Sequence, residues 1–251
     1  MKKLASTGSN LLPGAFIALL VVLWEISIRL SGIPKYLLPA PSGILRALVD
    51  SREVLLLHTK TTVIEASIGY IISIIIAVTV SASMNRWHTV KKTVYPVLVI
   101  SQTVPIIVLA PLIMIWMGFG ILPKIAIVVL TCFFPIAVSV TEGLETVDED
   151  IISMMKVMGA NNWQIFTKVK LPAIMPSFFS GLKIAATYSI MGAVIAEWIG
   201  AQSGLGVYMT RAMHSFHTEA LFADILIIVV LSIGVFEFIN FMGKKIMPWN
   251  K

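Results

Sequence analysis

Residues 142–176 read EGLETVDEDIISMMKVMGANNWQIFTKVKLPAIMP and separate two apolar runs, 121–141 and 178–200. Each run is long enough to cross about 30 Å of hydrocarbon, which takes roughly 20 apolar residues in a helix. A chain that leaves one such run, spends a long polar stretch outside and enters another is a helical membrane protein. Within the stretch, Asp148, Glu149 and Asp150 precede Ile151–Met158, and acids favour a helix N-terminus through its dipole. Gly159 is placed to end that helix in the left-handed conformation. Asn161 or Asn162 can cap a second helix over Trp163–Lys170, with Leu171-Pro172 and Pro176 expected to stop it. Trp163 and Phe166 share a face of that helix. They form either a hairpin lying at the membrane surface or a docking knob with aromatic anchors.

Working outward, apolar segments near 11–31, 62–84, 94–117, 121–141, 178–200 and 221–242 predict an all-α polytopic bundle of about six spans. Composition agrees: the 251 residues are 57% hydrophobic and 13% charged. Soluble domains carry about 25% charged residues, so this chain lacks the polar surface to stay in water. The net charge of +6 comes from residues sitting between apolar runs, which points to membrane flanks and away from nucleic acid. Met1-Lys2-Lys3 followed by an apolar run looks like a signal peptide. The run from Leu11 to Leu30 is longer than a usual h-region and lacks a small-residue cleavage site, so it reads as a retained first span. Lys and Arg are more frequent on the side of 142–176, and the expected topology has both termini cytoplasmic. The expected division is an N-terminal span and extracytoplasmic linker over 1–57, a membrane domain over 58–242 and a tail over 243–251. Ser42 is a candidate cap for a surface helix from 42 to 57.

Pro96, Pro105 and Pro111 punctuate the third span. Each removes a backbone donor, so the segment either lines a path or is an ordinary kinked span. In the fifth, Gly181, Ala185, Ser189, Gly192 and Ala196 fall on one helical face. Small stripes let helices approach closely, so this face serves packing within the subunit, a subunit interface or a path. Ionisable groups inside spans are functional candidates: Glu25, Glu65, Lys183, Glu197, Asp224 and Glu237. Glu197 stands out because it adjoins Trp198 and a glycine-containing segment, 200–206. With Ser189 and Gly192 these two residues form the candidate substrate path or gate.

No catalytic constellation stands out. Cys132 is alone inside an apolar run, and of the four histidines only His214 and His217 are close, three apart near Glu219. A surface turn accounts for them better than a metal site, so no metal is expected. The chain has no Gly-x-x-x-x-Gly-Lys-Ser/Thr run, so ATP-driven transport requires a separate ATPase. The alternatives are a self-sufficient secondary transporter, for which an internal repeat is lacking, and an integral membrane enzyme.

The loop carries a resemblance. Gly159, nine residues, then Val169-Lys170-Leu171-Pro172 resembles the signature loop of ABC importer permeases, the EAA loop (Glu-Ala-Ala, three residues, Gly, nine residues, Ile, one residue, Leu-Pro). Ser153, Met154 and Met155 stand at the Glu-Ala-Ala positions, and Val169 replaces Ile. Leu38-Pro39-Ala40-Pro41-Ser42, Gln102-Thr103-Val104-Pro105 and Ala110-Pro111-Leu112 are similar to the nitrate/sulfonate/taurine branch. So are Phe133-Phe134-Pro135 and Ala196–Ala201 with Gly204-Leu205-Gly206. Glu197-Trp198 with Gly204–Gly206 and Thr218–Phe222 resembles the thiamine-precursor permeases within it. The resemblance implies a type I importer permease in the bacterial inner membrane. Two copies would form a path for a small polar solute, served by an external binding protein. Gly159, Trp163, Phe166, Val169, Leu171 and Pro172 would lie in the loop seated on the ATPase. That ATPase would carry ATP-Mg, and this chain no cofactor.

Overall fold

In the computed structural model of the chain, residues 4–249 are described, with side chains from Leu12 onward. The described residues form eleven α-helices and one π-helical turn. Helix α1 (Leu4–Ser31) leads through a short linker to α2 (Pro41–Asp50), which is followed at once by α3 (Arg52–Arg86). Next come α4 (His88–Ser101), α5 (Ile106–Met117) and α6 (Ile121–Glu145). The 142–176 stretch holds α7 (Glu149–Val157) and α8 (Asn162–Ile165), and the π turn Phe166–Lys170 joins α8 to α9 (Leu171–Trp198). Helices α10 (Leu205–His214) and α11 (Thr218–Ile246) complete the order. The helix ends define two faces: a near face carrying α7 and α8, and a far face carrying α2, the α5–α6 turn and α10.

Five of these helices are long and apolar enough to cross a membrane, and the α4–α5 pair makes a sixth if it counts as one span. That pair is bent by 104°, so the unbroken crossing expected over 94–117 does not exist. Pro105, at the start of α5, has an extended backbone (φ −61°, ψ 127°) and no N–H to continue the α4 ladder. Pro96 and Pro111 sit inside the two halves without breaking them.

Helix α6 packs between α3 and α9 and forms the core with them. In lipid, burial of apolar surface hardly drives helices together, so close approach and polar cross-links must do so. The small stripe on α9 supplies the approach. A side chain at Gly181 would meet Ser139 and the Pro135 carbonyl, and one at Gly192 would meet Thr131 Oγ1. The cross-links run from side chains to the neighbouring backbone. Tyr70 donates to the Leu182 carbonyl (2.9 Å), Ser81 to that of Ala137 (3.0 Å) and Cys132 to that of Ala185 (3.3 Å).

One expected boundary moves. Ser42 does not cap α2. The helix starts after Ala40, and the Glu25 carboxylate of α1 takes the Ser42 N–H (2.9 Å) and hydroxyl (2.8 Å). A carboxylate brought from another helix is a stronger acceptor for an N-terminal N–H than a hydroxyl. Position 57/58 falls inside α3, which is continuous from Arg52 to Arg86.

Candidate functional site

On the near face, local hydrogen bonds alone set the backbone of the loop. Asp148 caps α7 by accepting from the Asp150 N–H (2.8 Å). Gly159, at φ +80°, ends it: the Gly159 N–H donates to Lys156 and the Ala160 N–H to Met155. These are the paired bonds of a left-handed helix stop. Asn161, not Asn162, opens α8 in a reciprocal capping box with Gln164, both bonds at 2.9 Å.

The second helix does not stop at Leu171-Pro172. The π turn lets the Leu171 N–H reach back five residues to the Phe166 carbonyl, and the helix runs on to Trp198. One extra residue in the turn accommodates Pro172, which has no N–H to donate, near the start of the next helix. The loop is therefore one short helix plus the extension of a span.

The corner so held exposes apolar groups. Trp163 is 71% exposed and stacks on Phe166, with centroids 6.0 Å apart. Ile151, Met154, Val157 and Met158 are exposed on the adjoining helix and stop. Of the other predicted loop residues, Gly159 and Leu171 are exposed, while Val169 and Pro172 are half-buried. Phe166 and Leu171 also border an apolar groove of about 230 Å³ with Val78, Leu144 and Phe178.

On the far face the arrangement is the reverse. Glu197 is 1% exposed at the end of α9. Its carboxylate accepts from the Thr62 hydroxyl (2.7 Å) and the Gly206 N–H (2.7 Å). Thr62 accepts from the Leu205 N–H (2.9 Å), and His58 Nδ1 accepts from the Gly204 N–H (2.9 Å). Three consecutive N–H groups of the 204–206 turn are thus held by side chains of two helices. Gly204 sits at φ +124°, and a Cβ there would lie 2.1 Å from the Glu197 carboxyl carbon. Only glycine lets the carboxylate press against the turn. Beside this latch, Lys124 of α6 donates to Glu65 of α3 at 2.5 Å, both buried.

Sequence reading singled out Glu197 with the adjoining 200–206 segment, and Glu65, but not Thr62 or His58. The available signal was that His58, Thr62 and Glu65 are spaced four and three apart, which puts them on one face of an apolar helix. Trp198 is half-exposed. Gly192 lies in the α6–α9 seam against Thr131 and Val128, and Ser189 is buried and donates to the Ala186 carbonyl of its own helix.

A cavity of about 570 Å³ opens at the α4–α5 break, lined by Gln102, Pro105, Leu109, Thr131, Tyr188 and Met191 among others. Tyr188 and Met191 immediately precede Ser189 and Gly192, so α9 turns its small face to α6 and the neighbouring one to this space. No group of three or more metal-ligating side chains occurs among the described residues. His214 ends α10 and His217 precedes α11.

The chain is thus a helical bundle with a broken mid-chain span, an exposed apolar corner on one face and a latched turn on the other. The chain belongs to the family described as binding-protein-dependent transport system inner membrane component, whose profile matches residues 69–247. It is 39% identical over 240 residues to the formylaminopyrimidine transport permease protein ThiX of Halalkalibacterium halodurans, covering 95% of this chain and 96% of that one. It is 27% identical to the riboflavin transport system permease protein RibX of Chloroflexus aurantiacus, over 92% of this chain and 87% of the other. With the taurine transport system permease protein TauC of Escherichia coli the identity is 25%, over 94% and 88%. Among solved structures, the inward-facing MetNI methionine ABC transporter is similar, with a TM-score of 0.57 and 19% identity. That match covers 82% of this chain and 96% of the other, and it supports the fold.

The protein is therefore the permease subunit of an ABC importer, a multi-pass inner-membrane transport subunit. ATP hydrolysis belongs to a separate ATPase, and a substrate-binding protein serves the same system. This replaces the alternatives of a secondary transporter and a membrane enzyme.

Proposed function

We propose that the solute is a formylaminopyrimidine-type thiamine precursor. The near face meets the cytoplasm, and the path lies at the α4–α5 break. The observation that carries the solute class is the 39% identity over nearly all of both chains to a permease named for formylaminopyrimidine. Ser101, Gln102, Thr131 and Tyr188 give the cavity beside the break hydrogen-bonding groups in an otherwise apolar lining. Broken membrane helices free backbone groups at such depths, which suits a polar solute.

Lys156, Lys168, Lys170, Lys244 and Lys245 cluster toward the near face, which supports cytoplasmic termini. The corner built on Gly159, with Trp163 exposed and Phe166 stacked beneath it, is the seat for the ATPase, whose Mg-ATP drives the cycle. Val169, Leu171 and Pro172 join that seat to α9. Glu197 holds the far-face turn as a gate element, with Trp198 beside it. A second copy of the chain completes the path, and lipid surrounds the pair.

The test is uptake of labelled formylaminopyrimidine by cells lacking the chromosomal copy and supplied with this chain. Uptake restored, and abolished by an inactive ATPase subunit, is the expected result. Restoration of taurine or riboflavin uptake without pyrimidine uptake would contradict the solute assignment.

A further inference from the structure

A polar depression lies on the far face where the end of α1, the linker 32–40, α2 and the first turn of α11 meet. One cavity of about 370 Å³ is lined by Arg29, Lys35, Ser42, Arg46 and Glu219, among others. A second, of about 510 Å³, shares Lys35, Arg46 and Glu219 with it.

Its walls are fixed by contacts between elements. Glu25 of α1 holds the first turn of α2 through Ser42, and Thr218 of α11 donates to the Tyr36 carbonyl of the linker (2.6 Å). Gly43 approaches Glu219 so closely that a Cβ there would lie 2.7 Å from the carboxylate oxygen.

The cations differ in their commitments. The Arg29 guanidinium is engaged, with Nε on Glu25 at 2.6 Å and Nη2 near Ser42. Lys35 and Arg46 make no hydrogen bond or ion pair to protein among the described residues, yet both line the two cavities.

Depth and surroundings indicate the ligand. The depression lies where one span ends and another begins, the level of lipid headgroups. Leu30, Ile33 and Leu37, beside it in sequence, are exposed. Two cations at headgroup level, unpaired among the described residues, can hold a lipid phosphate while Glu219 and Asp50 on the same walls leave room for an ammonium, and exposed apolar side chains beside them can meet acyl chains. The volumes suit a headgroup better than the broad face of a protein. Helix α1 has little else to hold it: it touches the body through α2 and a Trp24–Phe222 ring contact 6.0 Å between centroids.

We infer that this depression binds a phospholipid, its phosphodiester held between Lys35 and Arg46 and its acyl chains along Leu30, Ile33 and Leu37. The bound lipid wedges α1 against α2 and α11. Glu219, on the same wall, favours headgroups that carry an ammonium beside the phosphate.

The full-length chain, purified in detergent, is titrated with dioctanoyl phosphatidylethanolamine, dioctanoyl phosphatidylglycerol and inorganic phosphate, and lipid adducts are read by native mass spectrometry. Saturable binding of both lipids is expected, tighter for the ethanolamine lipid, with none for inorganic phosphate. Lys35→Gln/Arg46→Gln should weaken lipid binding at least ~tenfold, the scale of losing two charge-assisted hydrogen bonds. Lys92→Gln, on the opposite face, should leave it unchanged. If the double variant does not fold, Lys35→Gln alone should weaken binding and Arg46→Lys preserve most of it. Equal lipid binding by wild type and variants overturns the site. Saturation by inorganic phosphate makes it a free-anion site and overturns the lipid. Unchanged lipid binding with lost capture of the external substrate-binding protein makes it a docking surface, which equally overturns the proposal.

Discussion

The two faces of this permease hold their turns in opposite ways. The near-face corner at 158–164 is built from bonds between residues three to five apart, and its large apolar side chains are exposed. The far-face turn at 204–206 is built from bonds to His58 and Thr62, more than 140 residues away, and to Glu197, and it is buried. A turn that must meet a separate protein needs a backbone stable by itself and a sticky exterior. A turn with the proposed gate role would need connections to the helices that it joins, as the 204–206 turn has to α3 and α9. The glycines make the contrast concrete: Gly159 faces open space, whereas Gly204 is pressed by a carboxylate.

Substitutions that strain the two turns should therefore differ in cost. Gly204→Ala places a Cβ against Glu197 in a backbone region nearly restricted to glycine, and should cost about 3 kcal/mol or more. Thermal unfolding of the purified chain measures it, and a cost equal to that of Gly159→Ala would break the comparison. Thr62→Val removes the donor to Glu197 and the acceptor for Leu205 without changing volume much. A buried carboxylate oxygen and an N–H left unpaired should cost about 2–3 kcal/mol. Faster hydrogen exchange confined to 199–206 should accompany it, and an unchanged exchange pattern would show the latch to be slack.

Gly159→Ala meets no atom within 4 Å and bears only the left-handed backbone strain, about 1–2 kcal/mol. Its effect should be local, with protease sensitivity rising at 155–162 and the spans unaffected. The smallest effect is expected at Asp224, which is 0% exposed with both carboxylate oxygens unpartnered among the described residues. Asp224→Asn replaces a buried carboxyl that has no partner with an amide of the same size, so the melting temperature should stay level or rise slightly. A large fall would place Asp224 in a polar network like that of Glu197.

The same distinction explains what the sequence discloses. The left-handed stop at Gly159 and the caps at Asp148 and Asn161 depend on neighbours in the chain, and residue types at fixed offsets announce them. Span number follows from apolar length, although the 104° bend makes α4 and α5 two halves rather than one crossing. Pro105 signals a break without stating its angle, because the angle depends on what packs beside it. Pro172 misleads: a proline after a short helix reads as a stop, and only the π turn, which has no simple residue signature, carries the helix through. Glu197 is visible as a charge in a span. Its partnership with Thr62 exists only after α3 and α9 have met, and the same holds for the Lys124–Glu65 pair. Gly181 and Gly192 show how a small-residue stripe marks a face without naming its occupant, which here is α6.

The most direct measurement is binding of the purified partner ATPase subunit to the chain carrying Trp163→Ala and Phe166→Ala, compared with wild type and Trp198→Ala. Trp163 is 71% exposed and Phe166 40%, the latter bordering the groove with Val78, Leu144 and Phe178, so the double change should lower the melting temperature by only a few degrees. Loss of two aromatic anchors, at about 2 kcal/mol or more together, should weaken ATPase binding ~30-fold or more. Trp198→Ala, on the far face, should leave that affinity unchanged. Full-strength ATPase binding by the Trp163→Ala/Phe166→Ala chain would contradict the account.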